Sequence, residues 1–276
     1  MNEIDAAIDG IALWAPTLPG WDAAFAAFRG EGAEADPPAR RPAPELLPAA
    51  ERRRAPDTVA LALEVATHAV ARSGWHAEDL LSVFTSAHGD LGVSDYLCRT
   101  LNATPRLISP TKFHNSVHNA GSGYWGIATG CLQASTAVSG FETSFAAGLL
   151  EALTQCATEA RPVLLVGCDI EACGPLASTN DSRGLLAVAL VIAPRPSRRT
   201  QARLVWALAP GSSAPTPAHS AAAAALSANA MADALPLFEA LARGDTAPVM
   251  LTLSAELSLQ LRLGSARDSA ASYFGP

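Results

Sequence analysis

Apolar residues along this chain fall either into short unbroken runs or into helical periods, and the two kinds of segment alternate. Ile8 to Trp14 is an apolar run stopped by Pro16 and Pro19, which predicts a short strand. Trp21 to Phe28 sets its aromatics at helical spacing and predicts a helix. Residues 30–56 are crowded with Gly, Pro, Ala and Arg, so they predict a surface excursion without any regular element. Asp57 is the expected N-cap of a helix that runs to Arg72 and stops at Ser73-Gly74. Leu80 to Ser86 predicts an apolar strand leading into the polar turn Ala87-His88-Gly89-Asp90. A helix around Ser94 to Leu101 follows, then a loop over 103–112, then a Gly-interrupted, partly helical stretch from Phe113 to Gly130.

The second half is more apolar. Ser135 to Phe141 predicts a strand, and Thr143 to Glu159 a long helix buried on most sides. Pro162–Asp169 and Gly184–Ile192 predict buried strands, with Arg203–Ala209 as a third. Residues 210–220 read as a Pro/Ser/Ala linker, and Ala225–Arg243 as a helix. Val249–Leu263 alternates and predicts a half-buried strand or strand pair. Strands alternating with helices in this order define the α/β class, with a mixed sheet between helical layers. No internal repeat is visible.

Composition narrows the functions open to such a fold. Of the 276 residues 49% are hydrophobic and only 16% charged, so either the core is large or some surface is covered by a partner. A formal charge of −7 argues against a nucleic-acid binder. The one basic run, Arg52-Arg53-Arg54, reads as a solvated approach to a helix or as a dock for an acidic carrier protein or phosphate. Five cysteines without a CxxC pair do not look like a disulfide framework. The amino-terminal residues show no secretory signal, and the apolar run Ala221–Leu226 is too short to span a bilayer. A cytoplasmic protein is expected, without cofactor or metal.

The most informative stretch is SPTKFHNSVHNAGSGYWGIATG, followed by CLQASTAVSGFETSFAAGLLEALTQ and ARPVLLVGCDIE, over residues 109–171. It sets a strand, a sharp turn at Gly140-Phe141-Glu142-Thr143, and the start of a buried helix in succession. A group at such an elbow meets the positive end of the helix dipole and its free N–H groups, which lower a thiol's pKa and hold an oxyanion.

This layout resembles the N-terminal half of the β-ketoacyl-acyl-carrier-protein synthases, in the thiolase-like superfamily. Asn119, Gly123 and Gly130 match their Asn-rich helix, Ser135–Ser139 the strand, Thr143 and Ser144 the small hydroxyl residues after the nucleophile, and Val166-Gly167 the next strand. Leu46-Leu47-Pro48 with Glu51 to Arg54, and Val83 to Ser86 with Gly89, resemble the upstream elements, so the likeness covers about residues 4–195. It implies a thiolase-like half-fold, a single ketosynthase-like domain over 1–276, and Glu142 at the nucleophile's position. A carboxylate cannot carry an acyl chain as a thiolate does, so transacylation at this site is excluded. The family's catalytic histidines have no counterpart after residue 195, where His219 alone occurs.

The resemblance is strongest to the chain-length-factor-like subunits of aryl polyene and type II polyketide pathways. It implies a catalytically silent partner that heterodimerises with a full ketosynthase, is served indirectly by acyl carrier protein, and pairs through Ser135–Phe141. Phe113, Tyr124, Trp125 and Phe141 are then candidates for the wall of the acyl tunnel, with His114, His118, Asn119, Ser139 and Glu142 beside them.

Three alternatives stay open. Glu142 serves as a helix cap, or imitates a malonyl decarboxylase; Cys131 with His114 or His118 forms an acyl-transfer dyad; or the chain is a pure scaffold. His114 and His118 would share a face if helical, a metal-like spacing without a third ligand.

Overall fold

The computed structural model describes residues 3–32, 37–211 and 214–265, so parts of the excursion, the linker and both ends of the expected domain lie outside the described residues. Strand β1 (Ile4–Trp14) begins at Ile4 rather than Ile8, and α1 (Trp21–Phe28) follows as predicted. The excursion holds one helical turn after all, α2 (Ala49–Arg52). Arg41 ties this stretch down, pairing with Asp57 at 3.0 Å and donating to the Ala55 carbonyl at 3.2 Å. Helix α3 (Asp57–Ser73) takes Asp57 as its first residue, with Pro56 in the cap position, and stops on left-handed Gly74.

Strand β2 (Leu81–Thr85) leads to α4 (Leu91–Ala103), capped by Asp90, which accepts from the Val93 N–H at 2.8 Å. Two short helices, α5 (Pro110–His114) and α6 (Ala120–Thr129), fill the stretch expected to be partly helical. Strand β3 (Ser135–Val138) stops before Phe141, which the sequence places in the strand; residues Phe141–Thr143 instead form a 3-10 turn into α7 (Ser144–Glu159). Strands β4 (Val163–Asp169), β5 (Leu186–Ala193) and β6 (Ala202–Pro210) follow.

The helix expected over Ala225–Arg243 is broken into α8 (Ala221–Ala225) and α9 (Leu235–Arg243). Pro236 has no N–H to give to a helix interior and sits in the first turn of α9. The intervening turn lets Asn229 donate to the carbonyls of Asp169, Arg183 and Gly184 at 3.1–3.3 Å. The final alternating segment is a strand pair, β7 (Val249–Ser254) and β8 (Leu257–Ser265).

All eight strands form one mixed sheet in the order β3-β2-β4-β5-β1-β6-β8-β7, in which β3, β2 and β4 are parallel and the rest antiparallel. On one face, α3 and α6 cover Leu164, Val166, Ala187, Ala189 and Val191; on the other, α1, α7, α8 and α9 cover Leu165, Val188, Leu190 and Ile192. Strands β4 and β5 are thus buried on both sides, which is why their sequences are unbroken apolar runs. The sheet between helical layers is the α/β, thiolase-like half-fold expected from the sequence.

The predicted linker is an anchored strap. Thr216 exchanges hydrogen bonds with Met250 at 3.0 and 2.8 Å along the outer side of β7. The buried Glu239 of α9 accepts from the N–H groups of His219 and Ser220 at 2.6 and 2.5 Å. Among the described residues no helix is long and apolar enough to cross a membrane.

Candidate functional site

Parallel pairing of β3, β2 and β4 brings three loops to the carboxyl ends of the strands, where α/β sheets place ligands. Val138, Thr85 and Gly167 end in register. The turn 87–90, the elbow 139–143 and Asp169 therefore sit side by side.

The elbow is locked by its own hydroxyls. Ser144 Oγ donates to the Phe141 carbonyl at 2.7 Å and accepts from the Gly140 N–H at 3.1 Å. Thr143 Oγ1 donates to the Gly140 carbonyl at 3.0 Å, and Thr85 Oγ1 reaches across from β2 to the Ser144 carbonyl at 2.7 Å. Gly148 lets α7 lie directly on β2, since a Cβ there would stand 2.8 Å from the Thr85 side chain. The left-handed residue of the turn is Phe141, at φ 55°, one position before Glu142. A strained residue between strand and helix is the hallmark of a nucleophile elbow, and here it carries a phenyl ring. That ring is 53% exposed and meets the His88 ring edge-on at 5.3 Å.

Glu142 is exposed and does not cap α7, contrary to the helix-cap alternative. The carboxyl at that helix end is Asp233, from the 3-10 turn Ala232–Ala234, whose Oδ2 accepts from the Ala146 N–H at 3.1 Å. Burial pushes the Asp233 carboxyl up to about 7, with the N–H groups of Ala146 and Phe145 pulling the other way. A second buried carboxylate, Asp169, organises the turn after β2. It accepts from Ser86 Oγ at 2.6 Å and from the N–H groups of Ala87 and His88 at 2.9 and 3.3 Å. Desolvation raises its pKa, and these three donors offset part of that rise. Asp169, at the end of an apolar strand, is a core group rather than a surface one.

A recess of about 490 Å³ opens between elbow and loops, lined by His88, Phe141, Glu142, Asp181, Asn229 and Asp233 among others. Its carboxylates would repel a malonyl carboxylate, which weighs against decarboxylation through Glu142.

The other predicted residues are scattered around this recess. Ser139 Oγ donates to the Ala87 carbonyl at 3.1 Å, beside the elbow. Asn119 is exposed in the N-cap position of α6, with no side-chain capping bond. His114 ends α5 and His118 lies in the turn beyond it, so the two do not share a helix face. Among the described residues no His, Cys, Asp or Glu cluster fit for a metal occurs.

His118 bonds the Ser86 carbonyl at 2.9 Å, past the end of β2, while Cys131 Sγ faces the Leu80 carbonyl at 3.5 Å, before its start. Those carbonyls lie about 20 Å apart along the strand, which rules out the His118–Cys131 dyad. Burial pushes the Cys156 thiol up to about 12 and the Cys168 thiol up as well, so neither is poised as a nucleophile. Trp125 is buried in the α3–sheet core. Tyr124 is half-buried, with its hydroxyl donating to Asn115 Oδ1 at 3.2 Å, whereas Phe113 is 65% exposed.

With this geometry in place, the comparison with known proteins is direct. The family model for the N-terminal domain of β-ketoacyl synthases matches residues 28–255. The chain belongs to this family. No curated protein matches it. Among solved structures, it is similar to a ketosynthase in complex with its chain length factor from Xenorhabdus doucetiae. That match has 22% identity and a TM-score of 0.72, and covers 94% of this chain and 99% of the other. The ishigamide ketosynthase/chain length factor matches at 13% identity with the same TM-score and the same coverage of both chains. A β-ketoacyl synthase from Burkholderia phymatum matches at 14% identity and TM-score 0.59, over 86% of this chain and 70% of the other. At these identities the likeness is one of fold.

Sequence reasoning missed His88, Asp169 and Asp233. The polar turn after β2 was a visible sign for His88, and an acid closing the run PVLLVGCD was one for Asp169. Asp233 had only a lone acid between apolar residues in MADALPLF to mark it.

Proposed function

We propose that this chain is a ketosynthase-like partner subunit of the chain-length-factor kind, pairing with a ketosynthase in polyketide or fatty-acid-like chain building, as in aryl polyene pathways, and performing no condensation itself. The carrying observation is an elbow whose backbone is fully built, yet whose turn holds Phe141 and Glu142 where a condensing enzyme needs a thiol. Pairing is supported by the apolar side chains left exposed, Ile127 on α6 and Leu132 just before β3, with Leu107, Phe113 and Val117 on the segment leading to α6. The solved relatives from Xenorhabdus doucetiae and the ishigamide system are ketosynthase/chain length factor pairs.

Carrier protein fits the same reading. Arg53, Arg54 and the lone lysine, Lys112, line a recess of about 650 Å³ on an otherwise acidic chain. Of the tunnel-wall candidates, Phe113 and Phe141 are free to meet a partner, while Trp125 is committed to the chain's own core.

Co-expression with the ketosynthase of the same pathway tests this: the two chains should co-elute as a 1:1 complex. Phe113→Ala or Phe141→Ala in that complex should lengthen the products. A chain that elutes alone and condenses substrates overturns the reading, and unchanged product lengths reduce the chain to a scaffold.

A further inference from the structure

The turn from β5 to β6, residues 194–201, carries Arg195, Arg198 and Arg199, all of them exposed. On the neighbouring elements Arg72 pairs with Asp22 at 2.7 Å and Arg203 with Asp5 at 3.5 Å. The three arginines of the turn make no ion pair among the described residues. Strand β5 runs antiparallel to β4, with Ile192 beside Val163, so the turn lies at the opposite end of the sheet from the elbow.

This turn is held firmly from below. The Ser197 N–H donates to Thr200 Oγ1 at 2.8 Å, and the Arg199 N–H to Ser197 Oγ at 3.1 Å. Asp9 is fully buried at the register shift of β1. Its two carboxylate oxygens accept from Thr200 Oγ1 at 3.0 Å and from Trp75 Nε1 at 2.9 Å. The Arg199 guanidinium stacks over the Trp75 ring, 4.7 Å from its centroid. Burying a carboxylate is costly unless its oxygens are bonded, and here both serve to place this ring and this turn.

A guanidinium stacked on an aromatic face keeps its fork of N–H groups, and that fork matches a carboxylate. Because ring and turn are already ordered, little freedom is lost when a ligand arrives. The chain as a whole carries a formal charge of −7, so a long polyanion meets repulsion beyond the turn. A short acidic segment responds only to charges within a Debye length, about 8 Å at physiological salt, and so feels mainly the arginines.

We propose that this turn is a docking surface for a short acidic segment of a protein partner, with Arg199 on Trp75 as its oriented anchor and Arg195 and Arg198 adding charge. The surface is remote from the elbow, and the inference stands whether or not the chain pairs with a ketosynthase.

The experiment is fluorescence anisotropy of a labelled oligo-glutamate peptide titrated with the full chain at low and at physiological salt. The parent should bind it saturably. The variant with Arg195→Ala, Arg198→Ala and Arg199→Ala should lose affinity by about tenfold or more. Arg53→Ala with Arg54→Ala, in the other basic recess, should retain it. Arg199→Lys keeps the charge but not the fork and should bind more weakly than the parent.

Unchanged binding by the triple variant overturns the proposal, as does a loss that falls on the Arg53/Arg54 variant instead. Equal binding by Arg199→Lys and the parent would reduce the turn to diffuse charge and overturns it too. So does tighter binding of a DNA oligonucleotide or of anionic lipid vesicles than of the peptide.

Discussion

Phe141 keeps a backbone conformation that suits glycine and costs a bulky residue of the order of 1–2 kcal/mol. Its ring is half out in solvent, so local packing does not repay the strain. Strain held at an elbow in this way points to a side chain kept for what it meets rather than for the fold. Phe141→Gly should therefore stabilise the isolated chain by about 0.5–1 kcal/mol in urea unfolding. It should also weaken pairing with the ketosynthase. A loss of stability would mean that the edge-on contact with His88 outweighs the strain. At this scale the sequence was partly readable. Gly140 and the hydroxyl pair Thr143-Ser144 announced an elbow, because turn chemistry is local. Asp169 and Asp233 act across 82 and 87 positions, and no local pattern encodes such a partner.

Between elements, α7 lies directly on β2 next to the site. The contact rests on Gly148, where an added Cβ meets Thr85 at 2.8 Å. Gly148→Val should cost about 1–3 kcal/mol and disturb the elbow through the Thr85–Ser144 bond. Chemical denaturation gives the first quantity, and a neutral result would show that α7 can slide on the sheet. The strands in the middle of the sheet were legible for the same reason that they are stable. Burial on both faces forces an unbroken apolar run, as in VLLVGCD and LAVALVIA. The helix expected over Ala225–Arg243 failed because its alanines fit a helix locally while Asn229 is needed by carbonyls of distant loops. Tertiary demand overrode propensity there.

On the scale of the molecule, low charge and a high apolar fraction left open either a large core or a covered surface, and the exposed apolar side chains on α6 and just before β3 are where such a cover would sit. Ile127 and Leu132 are 84% and 96% exposed, so they contribute little to folding. Ile127→Glu with Leu132→Glu should leave the melting temperature of the chain alone within a degree or two and abolish co-elution with the ketosynthase. A variant pair that still co-elutes would move the interface elsewhere.

The strap beside β7 has a bearing on this assembly. Any sheet offers two borders to a neighbouring backbone, and here residues near Thr216 already lie along one of them. Among the described residues the β3 border is the one left open to another strand, and a body with a single open border stops growing once it has one neighbour. Pairing through that border would end at a closed pair rather than propagate into a filament.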